Sequence, residues 1–189
     1  MNKQKQDKAL YFIALVPDEP IYSELWQLKE ERHERCATKA ALRSPPHMTL
    51  HMPFNWDETK EEALFKVLAV LAAEHKPLAL QLNNFGAFEP RVIYVKIDES
   101  DELNLLQKAV TKAAAAKWHI YPRSDSRSFR AHMTIAFRDL KKPKFHEAWE
   151  EFAFRNYSRP APITSLSLLK HNGRIWEIYK SFSLNSAAN

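Results

Sequence analysis

At 189 residues the chain has room for one good-sized core and is too short for two independent domains of ordinary size. Its 45% hydrophobic, 12% aromatic and 27% charged residues exclude a disordered chain, and its single cysteine, Cys36, excludes an internal disulfide and a cysteine-based zinc finger. A net charge of +5, dispersed rather than gathered in a block, suits an anionic ligand but not a basic nucleic-acid tail.

The N-terminus has a basic start and a short apolar run like those of a secretion signal. However, "LYFIALV" is shorter than a usual signal core and runs into "PDEP" without a small-residue cleavage site. Residues 9–16 are therefore expected to form a buried central strand, apolar on both faces. No membrane association is expected, and the lone cysteine fits a reducing cytoplasm. Residues 20–36 follow as an amphipathic helix with Ile21, Leu25, Leu28 and Cys36 among charged neighbours.

"HMTLHMPF", residues 47–54, alternates with the period of a strand. The next helix, about 58–75, is capped by Asp57 or Thr59, carries Leu64, Val67, Leu68 and Leu71 on one face, and ends near Pro77. Residues 78–82 and 91–97 read as two strands pairing through the turn "NNFGAFEP". A third helix spans 100–118, capped by Ser100 or Asp101, with Leu103, Leu106, Val110 and Ala113 at helical spacing. Residues 119–130 are polar and aperiodic, hence a loop, and lead into a second strand of familiar wording, "HMTIAFR", residues 132–138. A fourth helix, about 143–153, opens at Pro143 and aligns Phe145, Ala148, Trp149 and Phe152. "ITSLSLLK" and "RIWEIYKSFSL" form a closing hairpin through Asn-Gly, and the tail "NSAAN" is expected to fray. The order β-α-β-α-β-β-α-β-α-β-β describes an α+β or mixed α/β chain, residues 1–189 forming one unit, with each echo on a strand between two helices.

Strand parity puts His47, Thr49 and His51 on one face and Met48, Leu50, Met52 and Phe54 on the other. In the second strand His132, Thr134, Ala136 and Arg138 share one side, and Met133, Ile135 and Phe137 the other. With 8 histidines in the chain, fewer than one His-x-Thr tripeptide is expected by chance, and two occur in matched strand contexts. Such a pair suits a cyclic phosphodiester. Hydrolysis needs a base for the attacking water and an acid for the leaving oxygen, and two imidazoles supply both near neutral pH. The threonine hydroxyls can donate to the non-bridging oxygens. No metal and no cofactor are required.

The paired "HMTL" and "HMTI" resemble the signature of the two-histidine (2H) phosphoesterase superfamily, in its 2'-5' RNA ligase-like and cyclic phosphodiesterase branch. "LYFIALVPDEP" looks like that family's opening strand and "RIWEIYKSFSL" its closing strand, so the likeness runs along nearly the whole chain. Ile135 stands where leucine is commoner. The resemblance implies a bilobal α+β fold, two mainly antiparallel sheets flanked by helices around a central cleft. It also implies His47 and His132 as acid and base, Thr49 and Thr134 on the phosphate, and an RNA end or nucleotide with a cyclic phosphate as partner. Hydrolysis of that phosphate and reversible 2'-5' linkage are both open, and no obligate protein partner follows.

Other candidates are secondary. His51 shares the parity of His47, Arg138 could meet an anion, and Arg130, with Arg123 and Arg127, could guide a phosphate backbone. Tyr11, like Phe12 or Tyr179, could stack on a base, with core packing as the alternative. Two rival readings stand beside the phosphoesterase. One is a metal site of His47, His51 and His132, and the other an RNA- or nucleotide-binding module without significant turnover.

Overall fold

β1 (Lys8–Leu15) is apolar on both faces because it is an inner strand of its sheet and every side chain from Tyr11 to Leu15 is buried. The structure, a computed structural model, describes residues 8–36, 39–121, 129–137 and 142–185. After β1 come α1 (Ile21–Cys36), β2 (Met48–Asp57), α2 (Glu61–Ala73), β3 (Leu78–Phe88), β4 (Val92–Ile97), α3 (Asp101–Trp118), β5 (His132–Ala136), α4 (Lys142–Ala153), β6 (Ser158–Ile163), β7 (Ser165–His171) and β8 (Trp176–Ser183). Short 3-10 turns lie at Ala40–Arg43 and Glu58–Lys60. The strands form two four-stranded sheets, β2-β1-β7-β8 and β5-β4-β3-β6, antiparallel at every junction.

The expected α+β architecture is therefore present. α2 and α3 lie against the first sheet, α1 and α4 against the second, and one continuous apolar cluster joins both sheets to all four helices. β2 and β5 are edge strands, and they adjoin without pairing. The two strands that carry the His-x-Thr motifs are thus neighbours. Among the described residues, no helix is long and apolar enough to cross a membrane.

Three elements differ from expectation. β3 does not stop at Leu82 but runs through "NNFGAF" to Phe88, with Asn84 at φ 58° absorbing a register shift, so the turn to β4 is only Glu89 to Arg91. β6 has no counterpart in the sequence pattern because "SRPAPI" carries Pro160 and Pro162, which lack a backbone N–H; it survives as an outer strand beside β3, where one side of the ladder is open. Asp57 caps the 3-10 turn through the Thr59 N–H at 3.0 Å, and α2 begins only after it. Ser100 does cap α3, accepting from the Leu103 N–H at 3.2 Å.

At the start of α2 a polar knot ties the helix to its sheet. Tyr11 and Tyr179 both donate to Glu61, and the Lys170 ammonium sits 2.9 Å from Glu61 and 2.6 Å from Glu58. Leu68, fully buried on α2, packs in the core beyond this knot. Leu68→Ala is expected to lower the unfolding free energy by about 2–5 kcal/mol in urea titrations, whereas exposed Val70→Ala should shift it by less than about 0.5 kcal/mol.

Candidate active site

His47 lies just before β2, and His132 opens β5. His47 Nδ1 donates to the Pro45 carbonyl at 2.7 Å, and His132 Nδ1 donates to the Arg130 carbonyl, also at 2.7 Å. In each case the acceptor is the carbonyl two residues earlier. A carbonyl can only accept, so Nδ1 carries the proton in both rings and Nε2 is left for chemistry. Burial lowers the pKa of both rings. His47 is pulled down to about 4 by desolvation and then by the nearby Lys29 charge, against the opposing Pro45 hydrogen bond, with a smaller contribution from His132. His132 is lowered by desolvation, with the Arg130 carbonyl opposing.

Register fixes the threonines. Thr49 pairs with Ala14 of β1, and Thr134 with Tyr94 of β4, so each lies on the side of its sheet away from the helices, two residues from its histidine. Among the described residues neither threonine hydroxyl has a hydrogen-bond partner in the protein. Both remain available to a ligand.

Each imidazole rests on aromatic rings. The His47 ring packs 4.8 Å from that of Phe12, which is itself 4.6 Å from Trp176, in a small apolar cluster with Ala14 and Leu169. His132 lies 5.1 Å from both Phe88 and Tyr94. Tyr94 reaches that position over Gly86, its cross-strand partner, where an added Cβ would meet the ring at 2.6 Å. Glycine is needed there for close approach rather than for turning.

His51 departs from the parity expectation. Between Thr49 and His51 β2 advances two residues while β1 advances one, so Leu50 and His51 both oppose Ile13 on the core side. His51 is consequently 6% exposed, packs against Phe54, and donates from Nδ1 to the Met52 carbonyl at 2.9 Å, while its buried Nε2 has no partner among the described residues. A second irregularity then turns Met52, expected to be hidden, outward at 64% exposure. The trio His47, His51 and His132 therefore does not converge. Among the described residues no group of three or more His, Cys, Asp or Glu side chains is placed to hold a metal.

Tyr11 is also corrected. It is fully buried on the core face of β1 with its hydroxyl engaged by Glu61, because a central strand offers its apolar side to the helices. Tyr179 donates to the same carboxylate, and Phe12 is buried beneath His47. Arg130 is exposed, and its carbonyl, rather than its charge, is what holds His132. Arg138, Arg123 and Arg127 lie outside the described residues.

Two lysines near the site escape sequence reasoning. Lys96 is exposed on β4 directly opposite His132 in the ladder. Its position follows from the pairing of β4 with β5, which sequence alone does not supply. Lys29 of α1 is only 2% exposed and donates from Nζ to the carbonyls of Ala41, at 3.1 Å, and Ser44, at 2.9 Å. Nothing in the helical pattern separates it from the solvated lysines.

Comparison with known proteins agrees with this architecture. Residues 17–174 match the sequence model of the 2'-5' RNA ligase superfamily. A protein of Geobacillus sp. (strain WCH70) named "Putative phosphoesterase" is 28% identical over 176 residues, covering 91% of this chain and 94% of that one. Among solved structures, TT0787 of Thermus thermophilus superposes with a TM-score of 0.66 at 18% identity, covering 94% of this chain and 99% of that one. E. coli LigT complexed with 3'-AMP gives 0.66 at 19% identity, with the same coverage of 94% and 99%.

The two sides of β2 can be told apart by substitution. His51→Leu is expected to leave folding stability within about 1 kcal/mol or raise it, since it removes a buried unpartnered nitrogen, and to leave the His47 ring resonances in place. Gly86→Ala should do the reverse for the second motif. The colliding atoms are at the far end of the Tyr94 ring, so the ring swings aside at small cost in thermal stability, and the His132 resonances shift while those of His47 stay put.

Proposed function

The chain belongs to the 2'-5' RNA ligase superfamily, and from that premise we propose that residues 1–189, acting as one bilobal unit, form a metal-independent phosphoesterase for a cyclic or 2'-5' phosphodiester of RNA or a nucleotide. The observation that carries this reading is the matched pair of Nδ1-to-carbonyl hydrogen bonds on adjoining edge strands. Both imidazoles are oriented alike and both keep Nε2 for proton transfer. LigT, whose fold the chain shares, has been crystallised with 3'-AMP, one of the two monoesters, 2' or 3', that opening a 2',3'-cyclic ester can leave.

In the proposed reaction one neutral imidazole takes a proton from water as the water oxygen attacks phosphorus. The bond from phosphorus to one ribose oxygen breaks, and that oxygen receives a proton from the second imidazole, which enters as imidazolium. The product is a phosphomonoester beside a free hydroxyl. Thr49 and Thr134 donate to the non-bridging oxygens, where negative charge gathers, and Lys96 adds a positive field on the His132 side. With a ribose 5'-hydroxyl attacking in place of water and the 3' oxygen leaving, the same groups would form a 2'-5' linkage, and the reverse of that step would cleave it.

The direction of the pKa shifts sets the pH dependence. The base must be neutral, so its limb is lost as pH falls through its pKa, and the acid must be protonated, so its limb is lost as pH rises through its own. With both rings lowered from 6.5, the kcat/KM profile is expected to be a bell lying on the acid side of neutral. The bound phosphate anion favours imidazolium, so the kcat profile should move toward higher pH.

Turnover of 2',3'-cyclic nucleotides and of RNA ending in a 2',3'-cyclic phosphate, in the presence of EDTA, is the direct test. His47→Ala and His132→Ala should each lower kcat by about 10²–10⁴-fold. Wild-type turnover untouched by both substitutions would refute the site, and loss of activity to EDTA would refute metal independence. Binding without turnover across these substrates would favour a nucleotide-binding module.

A further inference from the structure

A buried ammonium is costly unless strongly hydrogen-bonded, and Lys29 forms no salt bridge among the described residues. Its two carbonyl acceptors bracket a specific piece of chain. Ala41 lies in the 3-10 turn after α1, and Ser44 ends that turn one residue before Pro45. The Pro45 carbonyl in turn receives the His47 Nδ1 proton. A continuous path of three hydrogen bonds and one short turn thus joins Lys29 to His47. His132 is held by the equivalent backbone bond and by Phe88 and Tyr94, and burial rather than a neighbouring charge is what lowers it.

We propose that Lys29 is a positioning residue of this site: it ties down the turn that presents the Pro45 carbonyl to His47, and its buried charge keeps His47 neutral, so that His47 is the general base and His132 the general acid. The role assignment rests on the phosphoesterase reading; the coupling of Lys29 to His47 does not. Water then gives its proton to His47 Nε2 as the phosphorus–oxygen bond forms, and His132 Nε2 gives its proton to the departing ribose oxygen.

The neighbours of His47 support this division. Lys29 from α1 and His132 from β5 are the titratable groups that act on it, β1 contributes the ring of Phe12, and the Pro45 carbonyl completes the surround. On α1 itself Arg32 and His33 follow Lys29 by about one turn, and Arg32 is paired with Glu151 of α4 at 3.1 Å. Burial pulls Lys29 down to about 7, but its acceptors favour the ammonium form, and that charge opposes protonation of His47.

The experiment is an NMR titration of the histidine rings in the whole chain, comparing wild type, Lys29→Met and Lys29→Arg, followed by pH–rate profiles on a 2',3'-cyclic nucleotide. In the wild type, His47 should titrate below His132 with its proton on Nδ1. Lys29→Met should raise the His47 midpoint by about one unit without moving that of His132, and Lys29→Arg should move neither. The acidic limb of kcat/KM should rise with the His47 midpoint in Lys29→Met, a change that a merely structural role would not produce. A wild-type His47 titrating above His132, or a folded Lys29→Met whose His47 midpoint is unmoved, overturns the proposal. If Lys29→Met does not fold, the wild-type order of the two midpoints decides. A chain inert toward every cyclic substrate would refute the phosphoesterase reading while leaving the coupling legible in the titrations.

Discussion

The hydrogen bond from each imidazole Nδ1 to the carbonyl two residues before it is the constraint on which the site depends. It fixes ring orientation and tautomer together, and it does so with backbone, which the sheets and their neighbouring turns hold more firmly than any side chain. Everything else can be read as support for those two carbonyls. The adjoining of β2 and β5 brings them to one place, the aromatic rings of Phe12, Phe88 and Tyr94 stop the imidazoles from tilting, and the core packs the opposite faces of both strands.

Much of this was legible in the sequence because it depends on local pattern. The four helices, the Asn-Gly hairpin and the placement of both His-x-Thr pairs follow from periodicity, caps and turn residues. Parity worked over the four residues from His47 to Leu50 and failed at the fifth, His51. His47 and Thr49 share a face as alternation requires, but the bulge after Thr49 sends His51 inward beside Leu50. A bulge is a relation between two strands, so the alternation of β2 alone gave no sign of it. The same limit hid β6, whose prolines are tolerable only at an outer position, and it left Tyr11 ambiguous until its face of β1 was known.

Charged residues on α1 mark a different limit. An amphipathic helix read as one apolar stripe leaves its lysines and arginines to solvent. α1 instead lies against β5, α4 and the turn before β2, so Lys29 and Arg32 are both enclosed, each at 2% exposure or less. Arg32 has a carboxylate partner in Glu151 and stacks on Phe152, as a buried cation joining two helices commonly does. Lys29 has no carboxylate partner among the described residues; besides the Trp26 ring at 5.8 Å its partners are two carbonyls, and they belong to the segment that delivers His47. The two cations are alike in sequence and unlike in consequence.

Acid–base catalysis by two identical side chains poses a problem that symmetry cannot solve. A pair of histidines in equal surroundings would share the single proton equally, so that half of the singly protonated state would carry it on the wrong ring for the proposed reaction. The two motifs here are nearly equal in wording and in their hydrogen bonds, so the difference must come from what lies behind them. On the first side stands a buried ammonium, and on the second aromatic rings and an exposed lysine across the ladder. A cation kept from water acts through a medium that screens it weakly, whereas one in solvent is largely screened. The matched strands therefore place two imidazoles alike, and the buried Lys29, tied to the turn that delivers only one of them, makes the two different.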